Sequence, residues 1–197
     1  MRPRNKEKEE LVKEKTIEML VTNGFESFSA NKLAKECGIS MATLYIYYKD
    51  KDDLIVQIAS EEVSKMRQAV IQGFDPESRF ETGLRVQWKN RYQYLIANPV
   101  LSLFFDLLRS SSYQDKIYNG FRDDLDNQSD LFIKNATKRG EIISLPVEVY
   151  WSVAFSPLHS LIRAHYEGQR SGGKPFILSE EILWQTFELI LKALKAK

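Results

Sequence analysis

Two histidines, one cysteine and a run of hydroxyl and ring side chains define the chemistry open to this chain of 197 residues. His159 and His165 stand six positions apart, which puts them on different faces of a helix and argues against a two-histidine metal site. No nucleophile, base and acid accompany them, and Gly172-Gly173 lacks the lysine-serine pair of a phosphate loop. Cys37 is the sole cysteine, so neither a disulfide nor a thiolate metal centre forms within one chain. It reads as a small filler between helices. This inventory points away from catalysis, and the expectation is no reaction, no cofactor and no metal. What remains is the stretch from Ser40 to Tyr48. Ser40, Met41, Ala42 and Thr43 are small or slender enough for close approach. Thr43, Tyr45, Tyr47 and Tyr48 offer hydroxyls or rings to phosphates, sugars and thymine methyls.

Such a segment works only if other elements hold it out, and the hydrophobic spacing says those elements are helices. Helical periodicity runs through nearly the whole chain, so the fold class is all-α, with about nine helices and no repeats. The first helix is expected from about Lys6 to Asn23, with Val12, Thr16, Met19 and Leu20 on one face and Gly24 closing it. Ser29 caps a short second helix that Gly38 ends, and Ser40 caps a third that reaches about Tyr47. Asp50 and Asp53 start a fourth, which shows Leu54, Ile58, Val63, Met66 and Val70. Two short helices across a Gly38-Ile39 turn, behind a longer one, form the minimal unit that presents a helix to a major groove.

Beyond, Phe80 to Leu95 carry a helix that Asn98-Pro99 stops, followed by a short apolar helix from about Val100 to Arg109. Ile117, Phe121, Leu125, Phe132 and Ala136 predict one long helix closed by Gly140. Pro146 opens the next, which contains Pro157. Gly172-Gly173 and Pro175 make the last loop, and Ser179 caps the final helix.

Charge is a weak guide. The net charge is +1, and acids equal bases between Met1 and Asp53, although Arg2, Arg4, Lys6 and Lys8 cluster at the start. The charged start and the lack of a long apolar run lead us to expect a soluble, cytoplasmic protein without a membrane partner.

Gly24-Phe25, then Leu33-Ala34-Lys35-Glu36-Cys37-Gly38-Ile39-Ser40, then Thr43-Leu44-Tyr45-Ile46-Tyr47-Tyr48, then Lys51-Asp52-Asp53-Leu54 together resemble the signature of the tetracycline-repressor (TetR) family. The resemblance is close over roughly the first quarter of the chain and architectural beyond it. It implies roles at matching positions. Thr43 meets a phosphate, Tyr45 and Tyr47 contact backbone or base edges, and Lys51 caps onto a phosphate at the start of the fourth helix. Ser40, Met41 and Ala42 form the base-facing end, and Asn31 stands where a threonine or arginine often touches DNA. Leu44 and Tyr48 read as core.

The resemblance further implies a ligand-released repressor that binds a palindromic operator as a homodimer, with residues 1–54 reading DNA and residues 55–197 sensing and dimerising. Its effector would be small and mostly apolar or aromatic. Candidates for the pocket are Trp88, Arg91, Tyr92, Phe104, Phe105, Arg109, Phe121, Phe155 and His159. Candidates for the dimer interface are Trp151, Phe155, Leu158, Ile162, Trp184, Phe187 and Leu191. At helical spacing each of these also reads as plain core. Two alternatives share the same head: a regulator answering a protein partner, and an activator in place of a repressor. A cavity of ~300–1,000 Å³ in the helical domain would favour the small-molecule sensor.

Overall fold

Local capping chemistry divides the chain where the sequence expects. In the computed structural model, which describes residues 6–118, 124–168, 170–171 and 174–196, the helices are α1 (Lys6–Asn23), α2 (Ala30–Glu36), α3 (Met41–Tyr47), α4 (Lys51–Val70), α5 (Phe80–Ala97), α6 (Pro99–Arg109), α7 (Gln114–Tyr118), α8 (Asp124–Lys138), α9 (Val147–Glu167) and α10 (Glu180–Leu194). Ser29, Ser40 and Ser179 each accept a hydrogen bond from a backbone N–H of the following turn. At the start of α4 the Asp53 N–H donates to Asp50 Oδ1 at 2.8 Å, and the Lys49 N–H donates to Asp53 Oδ2 at 2.8 Å. That reciprocal pair satisfies two orphan donors at once.

The all-α class holds, with two corrections of detail. Ten helices stand among the described residues where about nine were expected; of the long helix expected around residues 117–136, α7 and α8 are the parts described, and residues 119–123 lie outside the described residues. A minimal antiparallel hairpin, β1 (Arg170–Ser171) with β2 (Lys174–Pro175), also stands where no strand was expected. Ser171 pairs with Lys174, and strands of two residues are too short to show a strand periodicity. Arg2, Arg4, Phe121 and Gly172-Gly173 lie outside the described residues.

The chain forms two compact units. The first comprises Met1–Ser64 and Val100–Phe121, so α6 and α7 join the N-terminal helices. Leu20 from α1, Leu33 from α2, Leu44 from α3 and Leu54, Ile55 and Ile58 from α4 are all buried in it, as are Phe104, Phe105 and Leu108 of α6. The second comprises Lys65–Pro99 and Arg122–Lys197. There α5 packs against α8, α9 and α10. Trp88 is fully buried, its indole N–H donating to the Ala154 carbonyl at 2.8 Å. Phe132 of α8 stacks on Phe80 with ring centroids 5.5 Å apart, over Gly83, where any side chain would collide with it. α9 continues through Pro157.

Candidate nucleic-acid interface

The α2–α3 turn is built from backbone requirements. Gly38 has φ of +63°, a left-handed conformation that disfavours any side chain. Its N–H bonds the Lys35 carbonyl at 3.2 Å, and the Ile39 N–H bonds the Ala34 carbonyl at 3.0 Å, which satisfies the last carbonyls of α2. Ser40 then turns extended, and its hydroxyl accepts from the Thr43 N–H at 3.1 Å and lies 2.9 Å from Thr43 Oγ1. The third helix therefore begins almost at once, with Leu44 buried beneath it.

Opposite Leu44, α3 presents Ala42, Tyr45 and Ile46, which share an arc of about 100° at the helical repeat and are all exposed, Tyr45 by 50% and Ile46 by 76%. Ser40 is exposed, while Met41, Thr43 and Tyr47 are half-buried on the flanks. Asn31 is exposed at the second position of α2. Tyr48 is buried at the end of α3. Lys51 is half-buried; its ammonium donates to the Phe25 carbonyl at 2.9 Å and sits 5.7 Å from the centroid of the Phe28 ring. It ties the first turn of α4 to the turn after α1 and has further N–H groups to donate. Ile46 had no role in the sequence reading. The signal that would have found it is its spacing from Ala42, on the side of the helix away from Leu44.

Two polar junctions brace this unit. Lys13 on α1 is buried, with its ammonium 2.6 Å from Glu10, 3.0 Å from Glu61 and 3.6 Å from Glu62, which straps α1 to α4. Tyr113, just before α7, donates its hydroxyl to Asp52 Oδ1 at 2.6 Å, and Lys116 reaches Asp52 Oδ2 at 3.1 Å. Those two donors hold the Asp52 carboxyl below its ordinary range, Tyr113 contributing most. Burial, reinforced by Asp52, pushes the Tyr113 phenol up. The Tyr113 ring lies 4.9 Å from that of Phe25, the residue whose carbonyl Lys51 holds. Cys37 is buried 4.0 Å from the Leu11 carbonyl, and its thiol is pushed up by burial.

The expected sensor residues divide between the units. Phe104, Phe105 and Arg109 belong to the first, where the two rings are buried and Arg109 lies 3.6 Å from Asp106. Trp88, Arg91, Tyr92, Phe155 and His159 belong to the second. There the Arg91 guanidinium lies 4.0 Å from the Phe155 ring centroid and 5.7 Å from that of Trp151, and donates to Gln87 Oε1 at 3.2 Å. Beside it is a cavity of about 70 Å³ lined by Met66, Arg67, Gln87, Arg91, Ser129 and Trp151 among others. Arg67, Gln87 and Ser129 were not anticipated. Gln87 stands one turn before Arg91 on α5. Of the expected interface residues, Phe155, Leu158, Ile162, Phe187 and Leu191 are buried in the chain's own core, so they offer no surface to a second copy. Trp151 and Trp184 are partly accessible, and the exposed apolar residues of these helices are Val147, Val149 and Leu189.

Residues 14–58 match the family model described as bacterial regulatory proteins, tetR family. An uncharacterised helix-turn-helix transcriptional regulator of Haemophilus influenzae is 29% identical over 138 residues, which span 68% of this chain and 70% of that one. A TetR-family transcription regulator from Marinobacter aquaeolei superposes with a TM-score of 0.83 at 24% identity, over the whole of both chains. The Bacillus subtilis regulator FadR, solved with stearoyl-CoA, superposes with a TM-score of 0.71 at 15% identity, over 94% of this chain and 99% of its own. These two likenesses establish the fold. No helix among the described residues is long and apolar enough to cross a membrane. With the signature, the capped α2–α3 turn and the outward face of α3 in place, residues 14–58 form a TetR-type helix-turn-helix, and the chain is similar to the DNA-binding transcriptional regulators of that family.

Proposed function

We propose that the chain is a cytoplasmic repressor that binds a palindromic operator as a homodimer, leaves it when a small effector binds, and catalyses no reaction. Residues 1–54 read DNA and residues 55–197 sense and dimerise. The observation that carries the reading is the outward face of α3, held clear of the core by the Gly38 turn and the Ser40 cap. On it Ser40, Met41, Ala42 and Tyr45 meet base edges, while Asn31, Thr43, Tyr47 and Lys51 meet phosphates. Leu189, 66% exposed on α10, supplies apolar surface for a two-fold interface. A dimer that places its α3 helices ~34–36 Å apart enters successive major grooves on one side of the duplex.

The effector site is the cavity beside Arg91. Donors from Arg67, Gln87 and Arg91 over Met66 and Trp151 suit a mostly apolar molecule with a hydrogen-bond-accepting end. The stearoyl-CoA complex of the B. subtilis regulator supports that class. A second reading draws on the cavity's size. At about 70 Å³ it is well below the ~300–1,000 Å³ of ordinary ligand pockets, which favours a regulator answering a protein partner unless the effector opens its own space.

Selection from random duplex DNA at a stated moderate salt concentration tests the proposal. Enrichment of an inverted repeat with half-sites about one turn apart is the expected result, with Tyr45→Ala lowering affinity while the dimer stays folded. Binding without enrichment that vanishes as salt rises overturns it. An operator complex indifferent to long-chain acyl amphiphiles turns the assignment to the second reading.

A further inference from the structure

Ile46 is 76% exposed, more than any other large apolar side chain among the described residues. A single apolar side chain in water is ordinary, but this one shares its arc of α3 with Ala42 and Tyr45, so the most prominent face of the recognition helix carries no charge. Its chemistry is methyl groups and one ring. A sec-butyl side chain neither donates nor accepts a hydrogen bond, so it discriminates bases only through the apolar surface it buries. Thymine alone offers a methyl group in the major groove; the other bases offer amino, carbonyl or ring-nitrogen edges. An apolar side chain laid over those edges would leave them without a hydrogen-bond partner.

We propose that Ile46, with Ala42 beside it, reads the C5-methyl of one thymine in each half-site and makes that T·A pair a determinant of specificity. This rests on the operator-binding reading above. Ala42 lies four residues earlier, one turn away on the same side, and its short side chain leaves room for the base to approach. Tyr45 flanks the contact and meets a neighbouring base edge.

The test begins with the operator recovered by selection. Each thymine in turn is replaced by deoxyuridine, which removes the methyl and keeps the base pair. Full-length protein and Ile46→Ala are titrated on every duplex, with circular dichroism confirming that the exposed substitution leaves the fold intact. At one symmetric pair of positions deoxyuridine is expected to weaken the parent roughly fourfold per half-site, or roughly fifteenfold for both, as loss of one buried methyl predicts. Ile46→Ala should be insensitive at those positions alone. Three outcomes overturn the inference: an enriched half-site with no such thymine, deoxyuridine effects equal in parent and variant, or an Ile46→Ala loss of affinity that no deoxyuridine reproduces. Each of these leaves the operator-binding function standing. Failure to enrich any sequence overturns both.

Discussion

Tyr113→Phe removes one oxygen from the junction where α4 begins. The hydroxyl donates to Asp52 at 2.6 Å, and the ring that carries it lies 4.9 Å from Phe25, whose carbonyl takes the Lys51 ammonium. The substitution keeps the ring, so it opens no cavity. A hydrogen bond to a charged acceptor contributes about 1.5–3 kcal/mol when shielded from water. The Asp52 side chain is 55% exposed and keeps Lys116, so water recovers much of the loss, and about 1 kcal/mol is expected. Asp52→Asn should cost a similar amount. The double variant should cost no more than the worse single, a coupling of about 1 kcal/mol. Urea unfolding is best followed by circular dichroism, because Trp88, Trp151 and Trp184 all lie in the second unit and report on it. Operator affinity should fall a few-fold in both singles, since the same junction sets the position of Lys51. Fully additive losses, or a Tyr113→Phe protein unchanged in stability and affinity, refute the coupling of α7 to the start of α4.

Gly83→Ala should destabilise by about 1 kcal/mol in urea, because overpacking of about 1–3 kcal/mol outweighs the helix preference for alanine. A new Cβ would lie 2.5 Å from the Phe132 ring, which Phe74 and Phe80 confine, so a stabilised variant would refute the α5–α8 packing. Lys13→Met should cost on the order of 3 kcal/mol by removing the buried ammonium that Glu10, Glu61 and Glu62 share; a variant as stable as the parent contradicts that account. Tyr113 and Tyr150 have phenols pushed up chiefly by burial. A raised pKa in the folded state favours folding below the unfolded value of about 10 and is lost above it, so urea midpoints should fall as pH passes about 10, less steeply in Tyr113→Phe; an identical slope argues against the role of that phenol. Finally, if Lys49 and Lys51 are the main phosphate cations, a dimer displaces about four counterions, and log K against log salt should have a slope of about −3.6. A slope twice as steep would mean that other cations carry the contact.

The DNA-reading unit was legible because its determinants are local. Ser29, Ser40 and the Asp50–Asp53 pair act on backbone groups three residues away, and Gly38 acts on its own φ, so each announces its structure within a few positions. Ile46 was missed for the opposite reason. Its type suggests core, and only the helix's orientation on Leu44 turns it outward. The bond from Tyr113 to Asp52 was not legible because Tyr113's partners, Phe25 and Asp52, are distant in sequence.

The sensing and dimerising residues were the least legible, and α9 shows why. Phe155, Leu158 and Ile162 recur at helical spacing and face inward, whereas Val147 and Val149 stand on the same helix and face solvent. Both sets satisfy any apolar pattern, so periodicity alone separates core from interface only where one face is polar. The burial of the first set redirects the argument. On α10, Leu189 is 66% exposed, more than any other large apolar residue of α9 or α10. Left in water, that apolar surface costs solubility; covered by a second copy across a two-fold axis, it stabilises an assembly that also spaces two reading heads. Leu189 is therefore the place to test for an interface. Charge placed there, as in Leu189→Lys, should leave each chain folded while converting a dimer to monomers in sedimentation; an unchanged dimer would move the interface elsewhere.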